Sequence, residues 1–219
     1  MKLTLKSYSA YIFLIVGNCF FFSADLLAQR GSEAEQLQRA ADRSRQHEAT
    51  LEGNPFVGIT ETGAVQKGLF NIESTGVSTS SIQKAAEAFI DTLSQRQRKE
   101  TLHPIDSPEW RQWMNQHFYD HWGVDFKDLS EEQKELAFDV LRASLSPKGF
   151  ELSRNIMKVN HTIGEMTGSM FGYGEWVYAI TIMGEPSATE PWGWQVEGHH
   201  LIINFFVLGD QIVATPTFI

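Results

Sequence analysis

The chain of 219 residues carries a single cysteine, Cys19. That excludes an intrachain disulfide and any zinc site built on several thiolates. Positive charge is also in short supply: 18 lysines and arginines stand against 27 aspartates and glutamates, a formal net charge of −9. A nucleic-acid-binding surface needs a basic face to neutralise phosphates, so no nucleic acid is expected among the partners. The longest apolar run, residues 11–22 (YIFLIVGNCFFF), is broken by Asn18 and falls short of the ~20 residues a helix needs to cross a bilayer. There is no Gly-x-Ser-x-Gly nucleophile elbow, no glycine-rich phosphate loop and no internal repeat.

What is present is globular composition: 42% hydrophobic, 21% charged and 12% aromatic residues, enough to build a core and too apolar for a disordered chain. The first 28 residues stand apart. Lys2 and Lys6 give a positive start, residues 11–22 an apolar centre, and Ala28 a small residue before Gln29. That order predicts a secretory signal peptide over residues 1–28, hence an exported protein (periplasmic or extracellular) with no stable membrane span after cleavage. Cys19 lies inside that segment, so the mature chain is expected to lack thiol chemistry altogether. Asn18 occupies the place before Cys19 where lipoprotein processing takes a small residue.

Residues 29–54 are polar and helix-tolerant and read as a linker or loose helix leading into a single domain over 55–219. One or two strands are expected among residues 54–81, from the short apolar runs 56–59 and 69–72. Ala85, Ala86, Phe89, Ile90 and Leu93 recur at helical spacing from Ile82 onward, and Ser94 can cap a second helix ending before Pro104. Ser107-Pro108 opens an aromatic passage in helical style. Ser130-Glu131-Glu132-Gln133 is a capping box, and Ser146-Pro147 begins a helix running to about Met166. After Gly168 the pattern turns to strands: 176–183, 192–197, 200–208 and 211–215, the last pair joined at Gly209-Asp210. Helices followed by hairpins predict an α+β fold, with N-terminal helices packed on an antiparallel sheet of C-terminal hairpins. The chain closes on an apolar Thr215-Pro216-Thr217-Phe218-Ile219, and a further C-terminal part of the domain is expected beyond it.

The stretches 85–93 (AAEAFIDTL), 141–149 (LRASLSPKG), 156–165 (IMKVNHTIGE) and above all 191–206 (PWGWQVEGHHLIINFF) with 215–218 (TPTF) are the distinctive ones. Together they resemble the domain-of-unknown-function 3500 family over roughly residues 81–219. Members of that family commonly run on past the equivalent of Phe218. The resemblance implies no activity, cofactor or substrate, so chemistry has to be argued from the residues.

Glu197-Gly198-His199-His200 is the densest constellation. On a regular strand Glu197 and His199 share one face, while His200 joins Trp192, Trp194 and Val196 on the other, and Gly198 can host a bulge that re-aims them. Two imidazoles beside a carboxylate suit a divalent metal: His199 and His200 as ligands, Glu197 as the catalytic base for a metal-bound water. The blander account is one histidine bonded to backbone and one facing water. His117 and His121, and again His161 and Glu165, stand four apart. The first pair lacks the glutamate of zinc proteases, and an exposed ion pair explains the second equally well. Of six tryptophans, Trp192 and Trp194 share a strand face and are the candidate substrate-binding surface for flat ligands, although core packing is the commoner use of such rings. Glu197 could also serve a glycosidase, but the sequence nominates no second carboxylate. Two functions remain open: a metal-assisted, hydrolase-like enzyme, or a non-catalytic binding or envelope protein with structural histidines and a tryptophan-lined contact surface. The partner is a small molecule or an envelope component.

Overall fold

The computed structural model describes residues 32–52, 64, 73–116, 122–168 and 172–218. The signal segment, the strands expected at 56–59 and 69–72, and His117 and His121 lie outside the described residues. Within them the helices are α1 (Glu33–Glu52), α2 (Ser80–Thr92), α3 (Gln95–Thr101), α4 (Glu131–Ser144) and α5 (Pro147–Thr167). The strands are β1 (Leu102–His103), β2 (Val124–Asp125), β3 (Tyr178–Met183), β4 (Trp192–Gly198), β5 (Leu201–Leu208) and β6 (Gln211–Phe218). The fold is α+β, as the order of patterns predicts. The sheet, however, is mixed rather than purely antiparallel. β3 to β6 form the expected meander, but β1 lies parallel to β3, with Leu102 opposite Ile182, and β2 pairs antiparallel to β3. Strands of two residues leave no periodic trace for sequence reading to find.

Local signals fix the helices. Ser130 accepts the Gln133 N–H at 3.2 Å while the Gln133 side chain accepts the Ser130 N–H at 3.0 Å, the capping box at the head of α4. Ser94 and Gln97 repeat it at the head of α3. The two capping glutamines also hold each other, amide to amide at 3.1 Å in both directions, and Gln133 donates to the Thr92 carbonyl at the end of α2. One pair of side chains thus ties three helix ends together. Ser146 caps α5 with Pro147 in its first turn, and Gly168 closes it in the left-handed region at φ 64°. Ser107-Pro108, read as a helix start, yields only a 3-10 turn, Pro108–Arg111. Beyond it, the Met114 N–H donates to the Glu197 carboxylate and the Asn115 carbonyl accepts the His200 N–H, so tertiary partners take backbone groups that a helix would use. Of the polar stretch 29–54, residues 33–52 form α1, which rests against that 3-10 turn and buries Ala40 and Ser44.

The central strands β3 and β4 are covered on both faces. On the inner face Tyr178, Ile180 and Ile182 of β3, Trp192, Trp194 and Val196 of β4, and Leu201, Ile203, Phe205 and Val207 of β5 meet Phe89 of α2 and Phe138 and Leu141 of α4 in one core. Trp194 stacks on Phe205 with ring centroids 5.2 Å apart, and its indole N–H donates to Ser144 at the end of α4. The outer face carries Gly193, Gln195 and Glu197 of β4 and is capped by residues 104–116. Trp110 lies directly over Gly193 there: a Cβ at that position would fall 2.7 Å from Trp110 Cη2 and 2.2 Å from the Phe205 carbonyl oxygen. Gly193→Ala is therefore expected to destabilise the protein by about 2–3 kcal/mol through forced displacement of the ring and strand. Equilibrium denaturation of the variant against the parent checks it, and an unchanged midpoint would mean that the cap over β4 is loose.

Candidate active site

β4 reads Trp-Gly-Trp-Gln-Val-Glu-Gly. Period-two alternation sends the indoles and Val196 inward and leaves Gln195 and Glu197 on the outer face. Glu197 is 1% exposed, and its Oε2 accepts the Met114 N–H at 3.2 Å. Glu109 reaches the same region from the capping segment. Ser107 accepts the Glu109 N–H at 3.2 Å and Pro108 fixes the first turn, so the side chain is carried under the cap rather than into solvent. It is 2% exposed, and among the described residues its Oε1 has no hydrogen-bond partner. Burial pushes the Glu109 carboxyl up to about 8, and the negative charges of Glu197 and of Glu48 on α1 push in the same direction. Near neutral pH Glu109 is therefore chiefly a carboxylic acid, within range of the Glu197 charge.

The β4–β5 connection is a two-residue turn, because Gly198 pairs with Leu201. Gly198 ends the strand rather than bulging it. Its missing side chain admits the Tyr178 ring, which a Cβ would meet at 2.3 Å. The Tyr178 hydroxyl donates to the His199 carbonyl at 2.9 Å, and burial raises that phenol above its ordinary range. His199 Nδ1 lies 2.8 Å from Asn160 Oδ1. Because Asn160 Nδ2 is committed to the Gly174 carbonyl at 2.9 Å, Oδ1 is the acceptor and His199 Nδ1 carries the proton. The His199 ring meets Tyr173 edge-on at 5.6 Å and lies 4.1 Å from the His200 ring. His200 has φ 59°, the one positive value at a non-glycine residue among those described, and its Nδ1 is buried without a hydrogen-bond partner there. His199 and His200 are thus turn residues, not members of a continuing strand. Among the described residues no three His, Cys, Asp or Glu side chains group so as to hold a metal ion, so Glu197, His199 and His200 do not converge as the sequence suggests.

Trp192 and Trp194 are placed differently from expectation as well. Both are fully buried on the inner face, with indole N–H groups donating to the Ser187 carbonyl and the Ser144 hydroxyl. No ring face is left for a ligand to stack on, and core packing accounts for both. His161 and Glu165 make a 3.5 Å contact on an exposed face of α5, an ordinary surface pair. The residue that sequence reading missed is Glu109. An acid following a Ser-Pro cap normally faces water and the helix dipole, and only the path of residues 104–116 turns it inward. Two open hollows flank these elements. A cleft of about 650 Å³ beside β1 is lined by Arg98, His103, Glu87 and Glu185, and touches neither carboxylate. A smaller one, about 260 Å³, lies on the outer sheet face beside Trp110.

The unfolded chain ionises Glu109 near 4.5 and the fold near 8. Between those values the folded state holds a proton that the unfolded state has lost, so stability falls as pH rises across that window, and Glu109 adds no pH slope outside it. Glu109→Gln keeps the shape and removes the titration. The parent should lose on the order of a few kcal/mol between about pH 5 and about pH 8, and the variant should show a flatter profile. Urea unfolding over a pH series checks this; parallel slopes for the two proteins would mean that water reaches the carboxyl.

Comparison with curated proteins and with solved structures gave no match. The model of one family, described as a protein of unknown function (DUF3500), matches residues 75–219, a span that takes in α2 to β6 and both buried carboxylates. The chain belongs to that family.

Proposed function

We propose that this is an exported, hydrolase-like enzyme that works by general acid–base catalysis through Glu109 and Glu197. The observation that carries the reading is the pair itself: two carboxyl groups, each almost wholly enclosed, with Glu109 protonated near neutral pH because burial, and after it the charge of Glu197, opposes its ionisation. Export rests on the order of residues 1–28, and among the described residues no helix is long and apolar enough to cross a membrane. Glu197 keeps the catalytic role that its place in Glu-Gly-His-His suggests, but with a protonated acid as its counterpart instead of a metal. His199, oriented by Asn160, and the Tyr178 contact to its carbonyl hold the hairpin end that carries Glu197.

In the reaction Glu109 gives its proton to the leaving-group oxygen as the bond from that oxygen to the electrophilic centre breaks. Glu197 accepts a proton from the water whose oxygen makes the new bond. One water is consumed, two products leave, and transfer of the proton from Glu197 back to Glu109 restores the starting state. Glu109→Gln and Glu197→Gln should each lower kcat by roughly 10²–10⁴-fold while leaving a cooperative melt, and kcat/KM of the parent should fall above about pH 8 as the acid loses its proton. Assays of the mature protein on chromogenic glycosides and esters check this. Turnover indifferent to both substitutions would remove the pair from catalysis, and no turnover of any class would favour the binding-protein reading.

A further inference from the structure

The outer sheet face carries a polar row that runs across four strands in register. Thr181 of β3 stands opposite Gln195 of β4, Gln195 opposite Asn204 of β5, and Asn204 opposite Thr215 of β6. Its inner end is buried and under-satisfied: Thr181 is 2% exposed and Gln195 fully enclosed, yet Thr181 Oγ1 and Gln195 Oε1 have no hydrogen-bond partner among the described residues. Its outer end opens into the hollow of about 260 Å³, which Asn204 and Thr215 line together with Trp110, Phe206 and Val213. Gln195 Nε2 donates to Asn204 Oδ1, which leaves the Asn204 Nδ2 group as a donor on a residue of the pocket wall. Trp110 is held by its own indole N–H, which donates to the Ile105 carbonyl at 2.9 Å, and meets Phe206 edge-on at 6.5 Å. Among the described residues no charged side chain lines this pocket.

We infer that this pocket is the substrate subsite of the chain and that it takes a neutral, polyhydroxylated ring, a sugar residue of a saccharide. A sugar ring has one apolar face and a rim of hydroxyls. The apolar face suits Trp110 and Phe206, and the hydroxyls suit the side chains of Asn204 and Thr215. The small volume favours one ring, and the absence of charge selects against phosphorylated or acidic ligands, whose desolvation nothing here would offset. Neither carboxylate lines the pocket, and its link to the acid pair runs through its wall: Trp110 follows Glu109 in the chain, and Asn204 accepts from Gln195, which lies two residues from Glu197 on the same face. The assignment as a substrate subsite therefore rests on the acid–base reading of that pair, and makes the bond cleaved a glycosidic one.

Equilibrium binding separates the two ideas, because it needs no turnover. Titration of short neutral glucose-, galactose- and N-acetylglucosamine-based oligosaccharides into the mature protein and into its Glu197→Gln variant, followed by calorimetry, should give saturable binding to one series in both proteins. Trp110→Ala should weaken it about tenfold or more, and Asn204→Ala and Thr215→Val by several-fold. Val213→Trp, which fills the pocket from a half-exposed strand position, should abolish it without lowering the melt, and guards against a Trp110 variant that fails to fold. Cyclohexanol and benzyl alcohol should not compete. Equal binding of those hydroxyl-poor rings, binding untouched by Val213→Trp, or no saccharide bound by a cooperatively folded chain would each overturn the subsite. Saccharide binding without hydrolysis would keep the pocket and remove the acid–base function, whereas hydrolysis of a non-sugar substrate without saccharide binding would do the reverse.

Discussion

The structure depends on β4 being buried on both sides while its two faces carry opposite chemistry. The described helices and strands could enclose a strand of large apolar residues in many ways, but Trp-Gly-Trp-Gln-Val-Glu-Gly leaves little choice. The face with two indoles and Val196 must meet the helices, because those rings represent the largest transfer of apolar area available to the chain. The opposite face then presents a glycine, an amide and a carboxylate. Covering such a face costs desolvation unless its polar groups find partners. Residues 104–116 supply the cover, and their backbone provides part of the compensation: the Met114 N–H goes to Glu197 and the Asn115 carbonyl to the His200 N–H. The same cover brings Glu109 beside Glu197, and the fold offsets that second acid by keeping it protonated.

The two consecutive clips at Met114 and Asn115 also account for the strained turn. His200 sits at a left-handed φ that costs a residue with a side chain on the order of 1 kcal/mol relative to glycine. Its N–H reaches the Asn115 carbonyl, its neighbour His199 is fixed at the ring by Asn160 and at the carbonyl by Tyr178, and Gly198 yields its side-chain space to the Tyr178 ring. Three elements that are far apart in the chain thus agree on one geometry for the hairpin end carrying Glu197. A turn determined from so many sides can hold an unfavourable dihedral without loosening.

What was legible in the sequence follows the range of each interaction. The Ser130-Gln133 box, the Ser-Pro start of α5 and the turn at Gly209-Asp210 are satisfied within a few residues, so their signatures are local and the elements stand where expected. The α+β order was readable for the same reason, as a change from helical to alternating periodicity. The contact that makes the site is not local: Met114 and Glu197 are 83 positions apart, and neither carries a mark of the other. Alternation shows that Trp192 and Trp194 share a face but not which face is covered by helices, so the pattern alone does not separate a ligand platform from the commoner core. The histidines illustrate the converse. Adjacent residues on paper look like a ligand set, whereas a two-residue turn ties one to α5 and the other to the capping segment.

Helix α1 lies before the span matched by the family model, which begins at residue 75, yet it is one of the bodies that set the site's electrostatics. It rests on the 3-10 turn holding Glu109, and the charge of Glu48 adds to that of Glu197 in opposing ionisation of Glu109. A buried acid can be kept neutral by desolvation alone, but then its proton affinity depends on how tightly the cover closes. Charge from a separate helix makes the raised affinity less dependent on the last increment of burial, and it acts only while that helix is docked. The polar N-terminal stretch is therefore better understood as a partner of the buried pair than as a spacer. Its amphipathic character is part of the same logic, with Ala40 and Ser44 turned to the domain and charged residues such as Asp42 and Arg45 to solvent. The small apolar stripe suffices to dock it, while the charge of Glu48 on that helix acts on the carboxyl whose protonation the rest of the outer face is built around.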